Sequence, residues 1–181
     1  MHERDVVALR AMDHVFYRNL NQVYPIIERG KGLYLYDSEG NEYLDFGSGI
    51  GVVNIGYSQP EIIQAMYEQA QKTSFVYSAP FTNEPLIRLS KKVIDFAPPG
   101  MSKVLFVSGG SLAVESAIKL ARQYHLERGR EGKYRVIARW TGYHGNTLGA
   151  LSASGRPSWR AHFTPLLLDF PHINPPYCYR C

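Results

Sequence analysis

An apolar run, a glycine-serine turn, a long amphipathic stretch and a second apolar run follow one another between residues 103 and 139. That order leaves few folds open. Lys103-Val104-Leu105-Phe106-Val107 is short, apolar and bounded by breakers, the pattern of a buried strand. Ser108-Gly109-Gly110-Ser111 then turns into a helix expected from about Leu112 to Arg128. Its face carries Ala113, Ala117, Leu120, Ala121 and Tyr124, and Gly129 ends it. Tyr134-Arg135-Val136-Ile137-Ala138-Arg139 reads as the next strand. Strand, helix and strand at this spacing predict a parallel βαβ unit of an α/β sheet.

The rest of the chain supplies pieces to set around that unit. With 45% hydrophobic and 20% charged residues among 181, the composition is that of a globular protein rather than a disordered one. Val6 to Arg18 has helical spacing. The runs Leu33-Tyr34-Leu35-Tyr36 and Glu42-Tyr43-Leu44-Asp45-Phe46 flank Asp37-Ser38-Glu39-Gly40-Asn41, which predicts a hairpin. Gly47-Ser48-Gly49-Ile50-Gly51 follows, where backbone can approach a partner closely. A helix opening at Pro60 carries Ile62, Ile63, Met66 and Ala70, and Phe75 to Phe81 is aromatic and turn-like. A further helix from near Asn83 presents Leu86, Leu89, Val93 and Ile94 and stops at Pro98-Pro99-Gly100. The expected division is a segment over 1–75 that belongs to a small domain and the first part of a large domain over 76–181.

Charge and cysteine content exclude several functions. The excess of 20 basic over 16 acidic residues is scattered, with none of the continuous basic face that nucleic acid requires. The two cysteines, Cys178 and Cys181, form C-x-x-C with no second ligand pair at zinc spacing and no strand-to-helix setting for redox chemistry. No apolar run approaches the roughly 20 residues that span a bilayer, and His2-Glu3-Arg4-Asp5 does not open a signal peptide. A soluble cytoplasmic protein with no metal is the expectation.

Ligands of open α/β sheets collect beyond the carboxyl ends of the strands, and two loops leave those ends here. The first, Ser108 to Ser111, opens a helix whose first N–H groups lack partners and carry partial positive charge, so a phosphate fits there. Ser111 can add a hydroxyl donor; its plainer role is to cap the helix. The loop is neither a Walker sequence, since no Gly-Lys-Ser/Thr follows, nor a G-x-G-x-x-G turn. The second, Thr141-Gly142-Tyr143-His144-Gly145-Asn146-Thr147, holds an aromatic between glycines, where a ring can lie against a planar ligand. His144 can donate to that ligand; the plainer alternative makes Tyr143 packing and His144 a surface or core histidine.

In combination these residues resemble the class III pyridoxal-phosphate aminotransferases. The family's phosphate loop is similar to Ser108-Gly109-Gly110-Ser111 entering Ala113 to Arg122, and its ring-stacking loop to Gly142 to Ala150. Leu35-Tyr36-Asp37 through Gly40, Tyr43-Leu44-Asp45 and Gly49 to Gly56 resemble its opening hairpin and glycine loop, so the likeness runs from about Tyr34 nearly to the end. It implies a fold-type I pyridoxal-phosphate transferase of the α/β class, incomplete here, and a homodimer. It implies that Gly110 and Ser111 bind the phosphate of pyridoxal 5'-phosphate, that Tyr143 stacks on its ring with His144 beside it, and that Gly51 and Tyr77 line the substrate side. The implied reaction moves an amino group between an amine or ω-amino acid and a 2-oxo acid.

Two departures accompany the resemblance. Leu112 stands where the family usually has a glutamate straight after the phosphate-loop serine, and Tyr57-Ser58-Gln59-Pro60 replaces its His-x-His-Pro. If that glutamate braces the loop, its loss weakens the cofactor's seat. The Schiff-base lysine and the aspartate that holds the pyridine nitrogen protonated lie in the family well beyond residue 181; none of Lys31, Lys72, Lys91, Lys92, Lys103, Lys119 and Lys133 occupies the lysine's motif. No catalytic residue is therefore expected in this chain, which reads as a fragment inactive alone. A non-catalytic cofactor-binding or dimerisation module, or an aminomutase or racemase on the same fold, is the alternative.

Overall fold

The computed structural model describes residues 12–180, and the chain divides into two units, Met1–Glu84 and Pro85–Cys181. Each is taken by itself.

The first unit is built on a three-stranded antiparallel sheet, β1 (Ile27–Lys31), β2 (Tyr34–Asp37) and β3 (Glu42–Leu44), in that order. The expected hairpin is β2–β3, in register Tyr34 opposite Leu44 and Tyr36 opposite Glu42. Its turn closes on Asp37, a buried carboxylate that accepts the N–H groups of Glu39 and Asn41, the Asn41 amide and the Tyr43 hydroxyl. Those donors, the Asn41 side chain foremost, hold the Asp37 carboxyl down at about 2. Strand β1 adds an unforeseen edge with a bulge between Ile27 and Arg29. The helix predicted over 6–18 is not helical from residue 12 onward, and its remainder lies outside the described residues.

After β3 the chain makes a helical turn of the wrong hand. Ser48, Gly49, Ile50 and Gly51 have φ of 45°, 58°, 61° and 78°. Left-handed backbone costs a non-glycine residue roughly 1–2 kcal/mol, so Ser48 and Ile50 sit there under constraint. The constraint is Asp45, whose side chain accepts the N–H groups of Gly47 and Gly49 and the Tyr57 hydroxyl at 3.1, 2.7 and 2.6 Å. Tyr57, at the departure from the family's histidine, thus ties the glycine loop to the segment that follows it. Helix α1 (Pro60–Lys72) comes next, with Pro60 at its first position and Glu61 and Lys72 matched to the helix dipole.

The second unit begins at the second residue of α2 (Glu84–Phe96), continues to α3 (Gly110–Glu127) and then forms a two-stranded parallel sheet. Strand β4 (Ala138–Arg139) pairs with β5 (His172–Ile173), Ala138 opposite His172. The βαβ expectation needs correction at its strands. Residues 103–107 form no strand, and of 134–139 only the last two do. A ladder needs a neighbour, and among the described residues 103–107 has none, so the apolar run lacks the hydrogen bonds that define a sheet. Helix α3 matches expectation within two residues, and Gly129, at φ 66°, ends it.

The packed centre of this unit is a short helix, α4 (Leu148–Ala153), with Gly149, Ala150, Leu151, Ser152, Ala153 and Ser154 buried. The two buried serines are satisfied. Ser152 donates to the Leu148 carbonyl and accepts the Leu168 N–H, while Ser154 donates to the Ala150 carbonyl and accepts the His144 N–H. Helix α5 (Pro157–Arg160) follows, and its Arg160 guanidinium donates to the carbonyls of Leu151, Ser152 and Ser154 at 2.8, 2.8 and 2.7 Å. One cation thereby serves three carbonyls at the end of α4, where the intrahelical bonds run out.

Much apolar surface stays uncovered. The accessible area is 15426 Å², whereas two separate compact bodies that shared this mass would expose roughly 10,700 Å². Leu105, Phe106 and Val107 of the apolar run are all exposed. Among the described residues no helix is long and apolar enough to cross a membrane.

Candidate functional site

The first turn of α3 sets the geometry. Its N-cap is Gly109, in extended conformation, and no side chain caps it. The first helical bond runs from the Ala113 N–H to the Gly109 carbonyl, so among the described residues no bond takes the N–H groups of Gly110, Ser111 and Leu112. Three donors and the positive end of an 18-residue helix dipole converge there, the arrangement that receives an anion. Ser111 is not the cap. Its Oγ accepts the N–H of Asn146 at 2.9 Å, 35 residues along the chain, which leaves the hydroxyl proton free to be donated outward.

That bond joins the two glycine loops. Gly145 packs so closely on Ser111 that a Cβ there would sit 2.8 Å from the Ser111 Cα, and its φ is +127°. One helical turn beyond Ser111, Glu115 makes the second tie. Its Oε1 accepts the Thr147 hydroxyl at 2.6 Å and the N–H groups of Gly149 and Ala150 at 3.0 and 3.3 Å. The Thr147 hydroxyl first, then the two amides, hold the Glu115 carboxyl below its ordinary range. A carboxylate is therefore present between helix and loop although residue 112 is leucine; Leu112 itself is 45% exposed.

The aromatic of the second loop is open on the surface. Tyr143 is 55% exposed and meets Trp159 edge to face, ring centroids 5.2 Å apart and planes at 87°. His144 is exposed, and its backbone N–H bonds to the Ser154 hydroxyl. The loop is fastened from behind as well: the Thr141 N–H donates to the Gly155 carbonyl and the Gly155 N–H to the Gly142 carbonyl. The structure thus brings the Ser111 and Gly145 loops into contact within the second unit. Gly51, in the left-handed turn, and Tyr77, 62% exposed, belong to the first unit.

Glu115, Trp159 and Arg160 went unassigned in the sequence reading. Glu115 and Thr147 are 32 residues apart, and no local spacing signals such a pairing. Proximity of Glu115 to Ser111 by one helical turn is the one hint the sequence held.

This chain belongs to the class III aminotransferases: the family profile, aminotransferase class-III, matches residues 15–180. It is 46% identical over 156 residues to the adenosylmethionine-8-amino-7-oxononanoate aminotransferase of Methanocaldococcus jannaschii, which covers 86% of this chain and 34% of that protein. It is 43% identical over 149 residues to the acetylornithine aminotransferase of Aquifex aeolicus, covering 81% and 38%. The crystal structure of the M. jannaschii enzyme superposes with a TM-score of 0.90 at 37% identity, over 99% of this chain and 42% of that one. The fold is thus the α/β fold of the transaminases, and the chain spans about a third of the length of these curated relatives.

Members of the family depend on pyridoxal phosphate, and the residues here fit it. Three N–H groups that no described residue bonds and a hydroxyl suit a phosphate, and a half-exposed phenol two residues from Gly145 suits a flat ring.

Proposed function

We propose that this chain is the cofactor-seating part of an aminotransferase that moves an amino group between an amine or ω-amino acid and a 2-oxo acid. The observation that carries the reading is the Asn146-to-Ser111 hydrogen bond, which holds the anion-receiving helix end against the loop that bears Tyr143. Gly110 and Ser111 bind the phosphate of pyridoxal 5'-phosphate through N–H groups and the serine hydroxyl. Tyr143 covers one face of the ring and His144 stands beside it. Pyridoxal phosphate supplies, when bound, a conjugated electron sink next to the reacting amine. The chain's own residues orient that group and exclude water from one of its faces. Gly51 and Tyr77 belong to the substrate side in this reading, and the complete enzyme is a cytoplasmic homodimer with the bond-forming lysine and the pyridine-nitrogen aspartate outside these 181 residues.

The 181-residue chain tests the seat directly. Pyridoxal phosphate binds more tightly than pyridoxal, and Ser111→Ala lowers affinity for the phosphorylated form about tenfold or more, the worth of a hydrogen bond to a charged group. Equal affinity for the two vitamers, measured by equilibrium dialysis, refutes the phosphate assignment. A second reading is favoured by the seven lysines, none of which lies in the family's motif: the chain is a non-catalytic binding module. Borohydride treatment of chain and cofactor together leaves the protein mass unchanged under both readings, and a stable gain of the reduced cofactor's mass on one lysine refutes the placing of the bond-forming lysine outside these residues.

A further inference from the structure

Trp159 lies outside both glycine loops, on α5, yet its ring meets Tyr143 at right angles with centroids 5.2 Å apart. Perpendicular contact is the favoured geometry of two aromatic quadrupoles. In either sense of that contact at least one face of the phenol stays open, in keeping with its 55% exposure. The indole is itself held. The Arg156 guanidinium lies 4.5 Å over its ring, a cation–π contact. Arg160 on the same short helix grips three carbonyls at the end of α4. Helix α4 in turn starts on the amides that Glu115 accepts. A continuous set of contacts therefore runs from α3 through α4 and α5 to the indole and back to Tyr143.

We propose that Trp159, steadied by Arg156, is a positioning residue for the cofactor ring: its contact with Tyr143 fixes the plane in which the phenol receives the flat heterocycle. The inference rests on the cofactor seat described above and adds to it a residue that reaches that seat through Tyr143. A free phenol at a loop would rotate about two side-chain bonds. Fixing it beforehand removes an ordering cost at the moment of binding. The phosphate end owes nothing to this contact, since its donors sit on α3. Trp159 therefore acts on the ring half of the ligand alone.

That separation makes the idea testable with the 181-residue chain and two probes, pyridoxal phosphate and inorganic phosphate, each titrated calorimetrically. Trp159→Leu keeps apolar bulk and removes the aromatic contact. The expected result is a loss of pyridoxal-phosphate affinity of about 2- to 13-fold, the worth of one aromatic pair, with inorganic phosphate binding unchanged. Trp159→Phe, which retains an aromatic edge, restores most of the affinity, and Arg156→Ala gives a smaller selective loss. Unchanged pyridoxal-phosphate affinity in Trp159→Leu overturns the proposal. So does an equal loss of both probes, which marks a structural role or a failure to fold. If the unmodified chain binds neither probe, the cofactor seat itself is refuted and the positioning role falls with it.

Discussion

Replacing Gly145 with alanine strikes the contact between the two loops. The added Cβ would stand 2.8 Å from the Ser111 Cα, and real Cβ atoms seldom approach a neighbour closer than 3.4 Å. Ser111 must therefore retreat by about 0.6 Å, which stretches the Asn146-to-Ser111 hydrogen bond from 2.9 Å to the edge of bonding distance. The neighbour that has to move is helix backbone, so no side-chain rotation relieves the overlap. Loss of that bond costs about 1 kcal/mol. A positive φ of +127° at an alanine adds about 1–3 kcal/mol. The sum, about 2–4 kcal/mol, is a local opening energy, and it corresponds to roughly 30- to 900-fold faster exchange of the Asn146 amide proton when exchange follows the opening equilibrium. Native-state hydrogen exchange followed by NMR reads this one proton. Exchange within about threefold of the unmodified chain would falsify the proposed packing. Affinity for pyridoxal phosphate falls in parallel, because the amides and the tyrosine loop lose their common anchor.

Two further outcomes follow from the ties around α4. Glu115→Gln keeps an acceptor but removes the charge that three donors share, and thermal unfolding near neutral pH registers a loss of about 1–3 kcal/mol. The sign with pH is fixed by the lowered native carboxyl: Glu115 stabilises fully above its unfolded value of 4.5, and that contribution fades as pH falls through the lower folded value. The variant's acid limb is correspondingly flatter than that of the unmodified chain, and a parallel pair of curves contradicts the assignment. Arg160→Ala removes the guanidinium from the carbonyls of Leu151, Ser152 and Ser154, of which Leu151 keeps the Ser154 N–H and Ser154 keeps His172 Nε2, for a cost of about 1.5–3 kcal/mol in urea denaturation; a midpoint that does not move shows the guanidinium contacts to be dispensable.

Local chemistry made the helices and the hairpin legible. Pro60 at a first turn, Pro98-Pro99-Gly100 after α2 and Gly129 after α3 each mark an end by a backbone property that no tertiary contact changes. Strand β1 escaped because Glu28-Arg29-Gly30 offers neither alternation nor apolar bulk; it forms by pairing with β2. The run 103–107 failed in the opposite sense, since a sequence can be ready for a sheet and still lack a neighbour to bond. At the site, residue type and position were enough to mark a helix opening at Gly110 and Ser111 and an aromatic loop around Tyr143. The contacts that organise them were not. Trp159 reaches Tyr143 across 16 residues and Glu115 reaches Thr147 across 32, distances at which spacing carries no signal.

Ser111 and Glu115 stand four residues apart on α3 and both reach the loop that follows β4. An α-helix advances about 1.5 Å and turns about 100° with each residue. Deleting or inserting a single residue among Leu112, Ala113 and Val114 would swing one of the two side chains a quarter-turn out of reach. Leu112 and Ala113 are exposed and can change identity, but the number of intervening residues cannot change. The length of that stretch, more than its composition, keys the start of the helix to the tyrosine's loop.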